Sequence, residues 1–327
     1  MERFIAIDNV CAWPNLTRMA DGTLIATIFN QPTHGGWEGD VECWASRDEG
    51  RTWKLRGVPA PHEPGTNRMN VAAGLAGDGA LVVIASGWSR RNKPGNYSSA
   101  HEGEVLTPWV CRSEDGGITW KRTGSVKLPR IELYRGVPFG DVVRHADGAL
   151  GVCIYGGDKN GNHSEYFTSD DDGLNWRRKS VIEGDSSNET APLVLPDGTL
   201  LAAARTRTDS RLELHRSRDQ GCSWEALGAL TLAGQIPGHL LRLADGRILL
   251  SFGMRNKGMH GVGVRLSSDS GETWGAPRVI VNYHAETDGG YPSSVQVEDG
   301  TIVTAYYCGG IETHQRYHMG VVRWKAE

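Results

Sequence analysis

Ser46-Arg47-Asp48-Glu49-Gly50-Arg51-Thr52-Trp53 is the first of five copies of the pattern S-x-D-x-G-x-x-W in this chain of 327 residues. The other copies start at Ser113, Ser169, Ser217 and Ser267. In each copy the aspartate can accept hydrogen bonds from backbone amides of its own turn, and the glycine tolerates the left-handed conformation of a hairpin tip. The tryptophan then packs its face under the turn. The pattern therefore predicts a repeated structural turn between β-strands, with a folding role rather than a ligand-binding one.

A second repeat alternates with the first. Six Asp-Gly pairs each precede an apolar, strand-like run: Asp21-Gly22, Asp78-Gly79, Asp147-Gly148, Asp197-Gly198, Asp245-Gly246 and Asp299-Gly300. Asp-Gly between β-rich runs is a strong hairpin signal. The two series together predict one unit that occurs six times: strand a, an Asp-Gly turn, strand b, a variable loop, strand c, the S-x-D turn and strand d.

The two ends of the chain complete each other in this scheme. The sixth unit ends after a strand from His318 to Trp324 and lacks strand d, whereas Arg3 to Asp8 form a strand with no unit of its own. We expect the N-terminal strand to complete the last unit, because this removes an open sheet edge. The predicted fold is all-β: a single domain over residues 1–327, built as a closed six-bladed β-propeller with four antiparallel strands per blade.

The composition argues against several classes of protein. The formal net charge is −4 and the pI is near 6.3, whereas a nucleic-acid surface needs a basic stripe. No apolar run approaches the roughly 20 residues of a membrane-spanning helix. No paired spacing of cysteine, histidine or carboxylate residues indicates a metal site, so no cofactor is expected.

The N-terminal segment and the cysteines predict a compartment. Met1 to Asp8 lack the long apolar stretch and the small-residue cleavage site of a signal peptide. The six cysteines are scattered, and we interpret them as free, mostly buried thiols in a reducing compartment. We therefore expect a cytoplasmic protein, or a secreted or periplasmic one if a leader preceded this chain.

Strand direction predicts the face on which function lies. Both kinds of turn fall on one face, so the d-to-a and b-to-c connections share the opposite face, where variable loops are held by a rigid scaffold. The starts of the a strands place Arg68, Asn70, Asp141, Glu189 and Tyr291 there. The b-to-c loops add His34, Trp37, Glu38, Asp40, Arg205, Arg255 and His260. We expect the longest insertion, residues 86–108 with Tyr97 and His101, to overhang a pocket on this face.

The five turns and six units resemble the sialidase (neuraminidase) superfamily with its BNR or Asp-box repeats, and the resemblance covers essentially the whole chain. Two stretches look like active-site segments of that family: Asn188-Glu189-Thr190-Ala191-Pro192, followed by Arg205, and Gly290-Tyr291-Pro292-Ser293-Ser294. The resemblance implies that Tyr291 attacks the anomeric carbon, that Glu189 takes its proton, and that Arg205 holds a substrate carboxylate. Tyrosine nucleophiles are an exception among glycosidases, and a phenol with a pKa of about 10 needs a neighbouring base.

The carboxylate-binding arginines of that family are not all matched. Ala12 stands where the family usually has its first arginine, two residues before Pro14. The third arginine has no clear counterpart, and Arg255 and His260 are the nearest basic residues. We therefore do not expect a complete clamp of three arginines, which puts cleavage of ordinary sialic acid in doubt.

The acid/base aspartate of the family is also unmatched. The loop of residues 31–40 has no aspartate at the corresponding place, and His34, Glu38 and Asp40 remain as candidate proton donors. The candidate substrate-binding residues are Arg205, Arg68, Asn70, Arg255, His260, Trp37 and Asp141.

Three functions fit these residues. The first is a glycoside hydrolase of sialidase-like mechanism that removes a terminal, acidic or otherwise non-standard sugar from a glycan, and the pair Tyr291 and Glu189 favours it. The second is a polysaccharide lyase, in which a tyrosine or histidine abstracts the proton beside a uronate carboxylate that arginine neutralises. The third is a non-catalytic carbohydrate-binding propeller, which the incomplete clamp favours.

Overall fold

The chain folds into β-strands joined by turns and loops. The computed structural model describes residues 1–91, 103–128, 136–158, 161–182 and 187–326. Within these ranges every regular element is a β-strand. The same ranges contain no helix long and apolar enough to cross a membrane. The predicted all-β class is confirmed.

The strands fall into runs of four along the described chain. The first run contains β2 (Cys11–Arg18), β3 (Leu24–Phe29), β4 (Val41–Ser46) and β5 (Lys54–Ala60). The second contains β6 (Asn70–Leu75), β7 (Leu81–Ser86), β10 (Trp109–Ser113) and β11 (Lys121–Ser125), with a short pair β8 (Trp88–Ser89) and β9 (Glu104–Val105) in its insertion. The third contains β12 (Val137–Arg144), β13 (Leu150–Asp158), β14 (Gly161–Ser169) and β15 (Arg177–Ile182).

Three further runs complete the described fold. The fourth contains β16 (Thr190–Val194), β17 (Leu200–Arg205), β18 (Leu212–Ser217) and β19 (Glu225–Ala229). The fifth contains β20 (Gln235–Arg242), β21 (Ile248–Met254), β22 (Gly261–Ser267) and β23 (Arg278–Asn282). The sixth contains β24 (Gly289–Gln296), β25 (Ile302–Cys308), β26 (His318–Trp324) and the N-terminal strand β1 (Glu2–Asp8). Within each run, adjacent strands pair antiparallel, as the alternating turns predict.

The N-terminal strand completes the last run, as predicted. β1 pairs antiparallel with β26, with Phe4 opposite Val321 and Ile7 opposite Met319. Ile7 is 3% exposed and Phe4 and Ala6 pack against the same apolar cluster, whereas Ile5 is 40% exposed. The register shift between Ile5 and Ile7 explains why these two residues do not share a face. The two chain ends are thus tied into one sheet.

The first strands of the runs contact one another in chain order. β2, β6, β12, β16, β20 and β24 each contact the next, and β24 contacts β2. One of these contacts differs from the expected separate four-stranded sheets: β6 and β12 pair in parallel and join two runs into an eight-stranded sheet. The physical reason is Gly74, where a Cβ would lie 2.2 Å from the carbonyl oxygen of Val142, so only glycine allows this approach.

The S-x-D-x-G-x-x-W turns are held by their own side chains. In the first turn, Ser46 Oγ donates to Asp48 Oδ1 at 2.8 Å and accepts from the amide of Gly50 at 2.8 Å. Asp48 Oδ1 also accepts from the amide of Thr52 at 2.8 Å, and Trp53 Nε1 donates to the Gly50 carbonyl at 3.0 Å. These bonds recur in the later turns, except that the fourth tryptophan, Trp224, donates to Ser180 Oγ.

Each turn also packs on the preceding run. A Cβ on Gly50 would lie 2.8 Å from Val303 of the sixth run, and one on Gly271 would lie 3.0 Å from Leu201 of the fourth. The apolar core accordingly lies between neighbouring runs. One cluster, for example, combines Leu24 and Trp53 with Val303.

The cysteines are as predicted: all six are free, and Cys222 is exposed while the other five are buried. On the face opposite the turns, the starts of the a strands lie beside the ends of the b strands. Tyr291 at the start of β24 and Arg205 at the end of β17 therefore share a face.

Trp176→Ala tests the folding role of the turn tryptophans. Trp176 is 2% exposed and its Nε1 donates to the carbonyl of Gly173 at 2.9 Å, so its truncation should lower the free energy of unfolding by about 3–5 kcal/mol. Leu174→Ala is the control: Leu174 lies in the same turn but is 45% exposed, and its truncation should cost less than about 0.5 kcal/mol. Urea unfolding followed by circular dichroism measures both, and equal losses would contradict the folding role.

Candidate active site

A cavity of about 260 Å³ lies on the face opposite the turns. Its lining residues are Trp13, His34, Met69, Trp88, Val137, Tyr155, Gly156, Gly157, Asn162, Asn188, Glu189, Arg205, Arg255 and Tyr291. It brings together Tyr291, Glu189 and Arg205, which the family resemblance implies act together. A larger groove of about 360 Å³ lies beside the turn at Asp48, but its lining is mostly exposed and holds no comparable acid/base pair.

The backbone at the start of β24 directs Tyr291 into the cavity. Tyr291 has a φ of 52°, in the left-handed region, and the pairing with β25 changes register between Gly290 and Ser293. Such a β-bulge re-aims a side chain. Gly290 permits it, because its φ is 100° and a Cβ there would lie 3.0 Å from the Cα of Gly253.

Tyr291, Glu189 and Arg205 form one hydrogen-bonded group. The phenol of Tyr291 donates to Glu189 Oε1 at 2.6 Å. Arg205 Nη1 donates to Glu189 Oε2 at 2.5 Å and lies 3.4 Å from the Tyr291 hydroxyl. Glu189 is 4% exposed, so its carboxylate depends on these two partners. A buried carboxylate that accepts from a phenol is placed to receive that phenol's proton.

Aromatic rings enclose Tyr291. Trp13 stacks on it with ring centroids 5.1 Å apart, and Phe139 and Tyr307 lie at 6.0 and 5.5 Å. Burial is the main reason that the pKa of Tyr291 is raised above its ordinary value, and the carboxylate of Glu189 adds to the shift. Tyr291 is therefore a neutral phenol in the resting site.

Two arginines give the cavity positive charge. Burial alone would lower the pKa of the Arg205 guanidinium. The interactions with Glu189 and Tyr291 are stronger than this effect, so the pKa is raised. Arg255 lies with its Cζ 5.4 Å from the Tyr291 ring centroid, and its Nη2 donates to the carbonyl of Gly289 at 3.4 Å. Its pKa is also raised, because the phenol groups of Tyr291 and Tyr307 outweigh the effect of burial.

His34 lines the cavity and belongs to a second polar group. Its Nδ1 lies 2.8 Å from Asp288 Oδ2. Asp288 also accepts from the hydroxyls of Tyr307 at 2.9 Å and Tyr317 at 3.0 Å. Trp13 and Tyr307 connect this group with Tyr291: Trp13 stacks on Tyr291 and makes a T-shaped contact with His34 at 5.6 Å, and Tyr307 contacts the Tyr291 ring at 5.5 Å.

Three predicted substrate-binding residues lie outside the cavity lining. Arg68 packs its guanidinium on Trp109, 3.6 Å from the ring centroid, and burial lowers its pKa to about 10. Asn70 is buried at the start of β6 without lining the cavity. Asp141 lies deeper, where it bonds His239 Nε2 at 3.0 Å and Asn15 at 2.9 Å.

The remaining candidates of the b-to-c loops also lie outside the lining. Asp40 accepts from His62, whose Nδ1 lies 2.7 Å away, and Glu38 lies 3.5 Å from His62 Nε2. His260 Nδ1 is engaged by the backbone of Thr287. Trp37 is 58% exposed. Of the three proton-donor candidates, His34 is the one that the described structure places in the cavity lining.

Several residues in or beside the cavity were not singled out from the sequence. Asp288 is three residues before Tyr291. Its position, an acidic residue next to the start of an a strand, could have marked it as a candidate. Tyr307 lies at the end of β25, where the b-to-c loop begins. Of the insertion, Trp88 lines the cavity, whereas Tyr97 and His101 lie outside the described residues. No cluster of metal-ligating side chains occurs within the described ranges.

The BNR repeat-like domain family matches the chain over residues 60–304, well over half of its length. A curated sialidase from Paraclostridium sordellii is 25% identical over 241 residues, which cover 66% of this chain and 57% of the relative. This chain therefore belongs to the BNR repeat-like domain family and is a divergent member of the sialidase superfamily. It spans less than two thirds of the length of that curated relative.

Solved structures share the fold. A protein of unknown function from Dyadobacter fermentans DSM 18053 superposes with a TM-score of 0.84 at 23% identity, over 100% of this chain and 98% of that chain. Trypanosoma rangeli sialidase superposes with a TM-score of 0.74 at 15% identity, over 97% of this chain and 55% of that chain. At these identities the likeness shows the propeller fold alone.

A double-mutant cycle tests the buried ion pair of the site. Arg205→Met leaves the carboxylate of Glu189 buried without its cation, and should lower the free energy of unfolding by about 3 kcal/mol. Adding Glu189→Gln removes the unpaired charge and should restore part of that loss. Chemical unfolding of the two single variants and the double variant gives the coupling energy, and additive losses would show that the pair is not coupled.

Proposed function

We propose that this protein is a glycoside hydrolase of sialidase-like type that cleaves a terminal acidic sugar from a glycan, on a closed ring of six blades. The hydrogen bond of 2.6 Å between the Tyr291 hydroxyl and Glu189 carries the proposal. It joins a candidate nucleophile to a candidate base in the lining of one cavity. The membership of the sialidase superfamily supports the same chemistry.

Tyr291 would attack the anomeric carbon. If that carbon bears a carboxylate, an attacking carboxylate is repelled, whereas a neutral phenol is not. The raised pKa of Tyr291 keeps the phenol protonated until attack begins. Its proton then passes to Glu189 Oε1 as the new bond to carbon forms, so the charge on the nucleophile develops only with the reaction.

Arg205 supports this step from the side. Its Nη1 lies 3.4 Å from the Tyr291 hydroxyl and 2.5 Å from Glu189. When the proton moves to Glu189, that carboxylate loses its negative charge. At the same time the Tyr291 oxygen, which also lies next to the guanidinium, gains partial negative charge. This preorganised cation therefore stabilises the transfer without a change of position.

The cavity favours an acidic sugar. Arg205 and Arg255 both line it, while one carboxylate of the lining, Glu189, balances one of these two charges. Among the described residues Arg255 forms no ion pair, although the carboxylate of Asp288 is near enough to interact with it, and its guanidinium fork suits a substrate carboxylate. Since Ala12 replaces the first arginine of the family pattern, we infer that the sugar is held by fewer cations than in that pattern and is an acidic sugar other than ordinary sialic acid.

Tyr291→Phe tests the proposal. Wild type should release the aryl group from at least one member of a panel of nitrophenyl glycosides of acidic and neutral sugars, and Tyr291→Phe should lower kcat/KM by about 10³-fold or more. Tyr306→Phe is the matched control, because Tyr306 bonds Arg3 on the far side of the same sheet and its loss should leave turnover unchanged.

The other outcomes separate the alternatives. An unsaturated, ultraviolet-absorbing product from uronate-containing glycans would replace the hydrolase with a lyase. Saturable glycan binding with no product after long incubation would favour a non-catalytic binding propeller. Equal turnover by wild type and Tyr291→Phe would rule out Tyr291 as the nucleophile.

A further inference from the structure

His34 and its partners have no part in the attack by Tyr291, yet His34 lines the same cavity. We propose that His34, held by Asp288, is the general acid and base of the reaction: it protonates the departing glycosidic oxygen and then deprotonates the attacking water. The inference rests on the proposed hydrolase function. It assigns the proton donor and adds Asp288 as a positioning residue.

The hydrogen bond to Asp288 determines which nitrogen of His34 is available. A carboxylate only accepts, so the contact of 2.8 Å from Nδ1 to Asp288 Oδ2 requires a proton on Nδ1. No described residue forms a recorded hydrogen bond with Nε2, and the side chain is 31% exposed. Nε2 is therefore the nitrogen that can exchange a proton with a molecule in the cavity.

Asp288 is built to remain an anion. Besides His34 it accepts from Tyr307 at Oδ1 and from Tyr317 at Oδ2. Burial acts to raise the pKa of Asp288, but the bond from His34 and that from Tyr307 outweigh it, so the pKa is lowered. Burial raises the pKa of both tyrosines, which keeps them as donors. A fixed carboxylate behind an imidazole orients the ring and stabilises its protonated form.

The other charged groups near His34 do not compete for Nε2. Arg255 acts on Asp288 and lowers its pKa further. Arg90 donates to the carbonyls of Gly35 and Gly36, which anchors the loop that carries His34. The other two candidate proton donors, Asp40 and Glu38, contact the two ring nitrogens of His62 instead of the cavity.

The protons balance over the two steps. In the first step, the bond from the anomeric carbon to Tyr291 Oη forms, the phenol proton goes to Glu189, the glycosidic bond breaks, and the leaving oxygen takes a proton from Nε2 of His34. In the second step, Nε2 removes a proton from water as its oxygen attacks the anomeric carbon. The bond from the anomeric carbon to Tyr291 Oη breaks as the bond to the water oxygen forms, and the departing phenolate recovers its proton from Glu189.

The test uses phenyl, nitrophenyl and dinitrophenyl glycosides of the sugar that wild type cleaves fastest. For His34→Ala, kcat/KM on the phenyl glycoside should fall by about 10²–10⁴-fold, whereas the fall on the dinitrophenyl glycoside should be less than about tenfold, because a good leaving group needs no proton. His62→Ala is the matched control: it removes another histidine–aspartate pair that lies outside the cavity lining, and its kinetics should follow wild type.

Asp288→Asn provides a second, independent readout. Without the carboxylate the imidazolium of His34 is less stable, so the alkaline limb of kcat/KM on the phenyl glycoside should move to lower pH. A purely structural role would lower the rate and leave the limb in place, and that result would remove Asp288 from the proposal.

The outcomes for the two proposals differ. If wild type is active and His34→Ala loses the same factor on all three glycosides, the assignment of His34 as acid is overturned and the role of Tyr291 stands. If wild type cleaves none of the glycosides in the panel, the hydrolase proposal fails and this inference fails with it.

Discussion

The contact between each S-x-D-x-G-x-x-W turn and the preceding run is the constraint on which the rest of the structure depends. The turn glycines fit so closely that a Cβ on Gly50 or Gly271 would lie 3.0 Å or less from an aliphatic side chain of that run. The aspartate and serine hold the turn in this shape. Because close-packed interfaces do not deform continuously, the opposite strand ends are fixed as well, and the loops there can carry a site of defined geometry.

The cavity uses that rigidity to hold a phenol, a carboxylate and a guanidinium in contact. The β-bulge that Gly290 permits directs the Tyr291 side chain into the cavity. Glu189 is held between Tyr291 and Arg205 by hydrogen bonds. A buried carboxylate is costly unless it is paired. The hydrogen bond from Tyr291 places this carboxylate to accept the proton of the phenol, and Arg205 lies beside the oxygen that the proton leaves.

The resemblance to sialidases implied that Tyr291 and Glu189 act together, whereas the local patterns predicted the strand order and the pairing of the chain ends, because turns and strand starts depend on neighbouring residues. They did not predict the parallel pairing of β6 with β12, which depends on the absence of a side chain at Gly74. Nor did the local patterns show which of His34 and Asp40 lines the cavity. That choice is made by partners far along the chain, Asp288 for the first and His62 for the second.

Trp13 contacts both proposed proton-transfer groups of the cavity, Tyr291 with Glu189 and His34 with Asp288. Its ring stacks on Tyr291 on one side and meets His34 edge-on at 5.6 Å. Each of the two groups has its own carboxylate, since His34 Nδ1 bonds Asp288 and the Tyr291 hydroxyl bonds Glu189. Trp13 follows Ala12, where the family pattern has an arginine, so this part of the site offers aromatic contacts in place of a cation. The chemistry expected from such an exchange is weaker carboxylate binding with separate routes for the two protons.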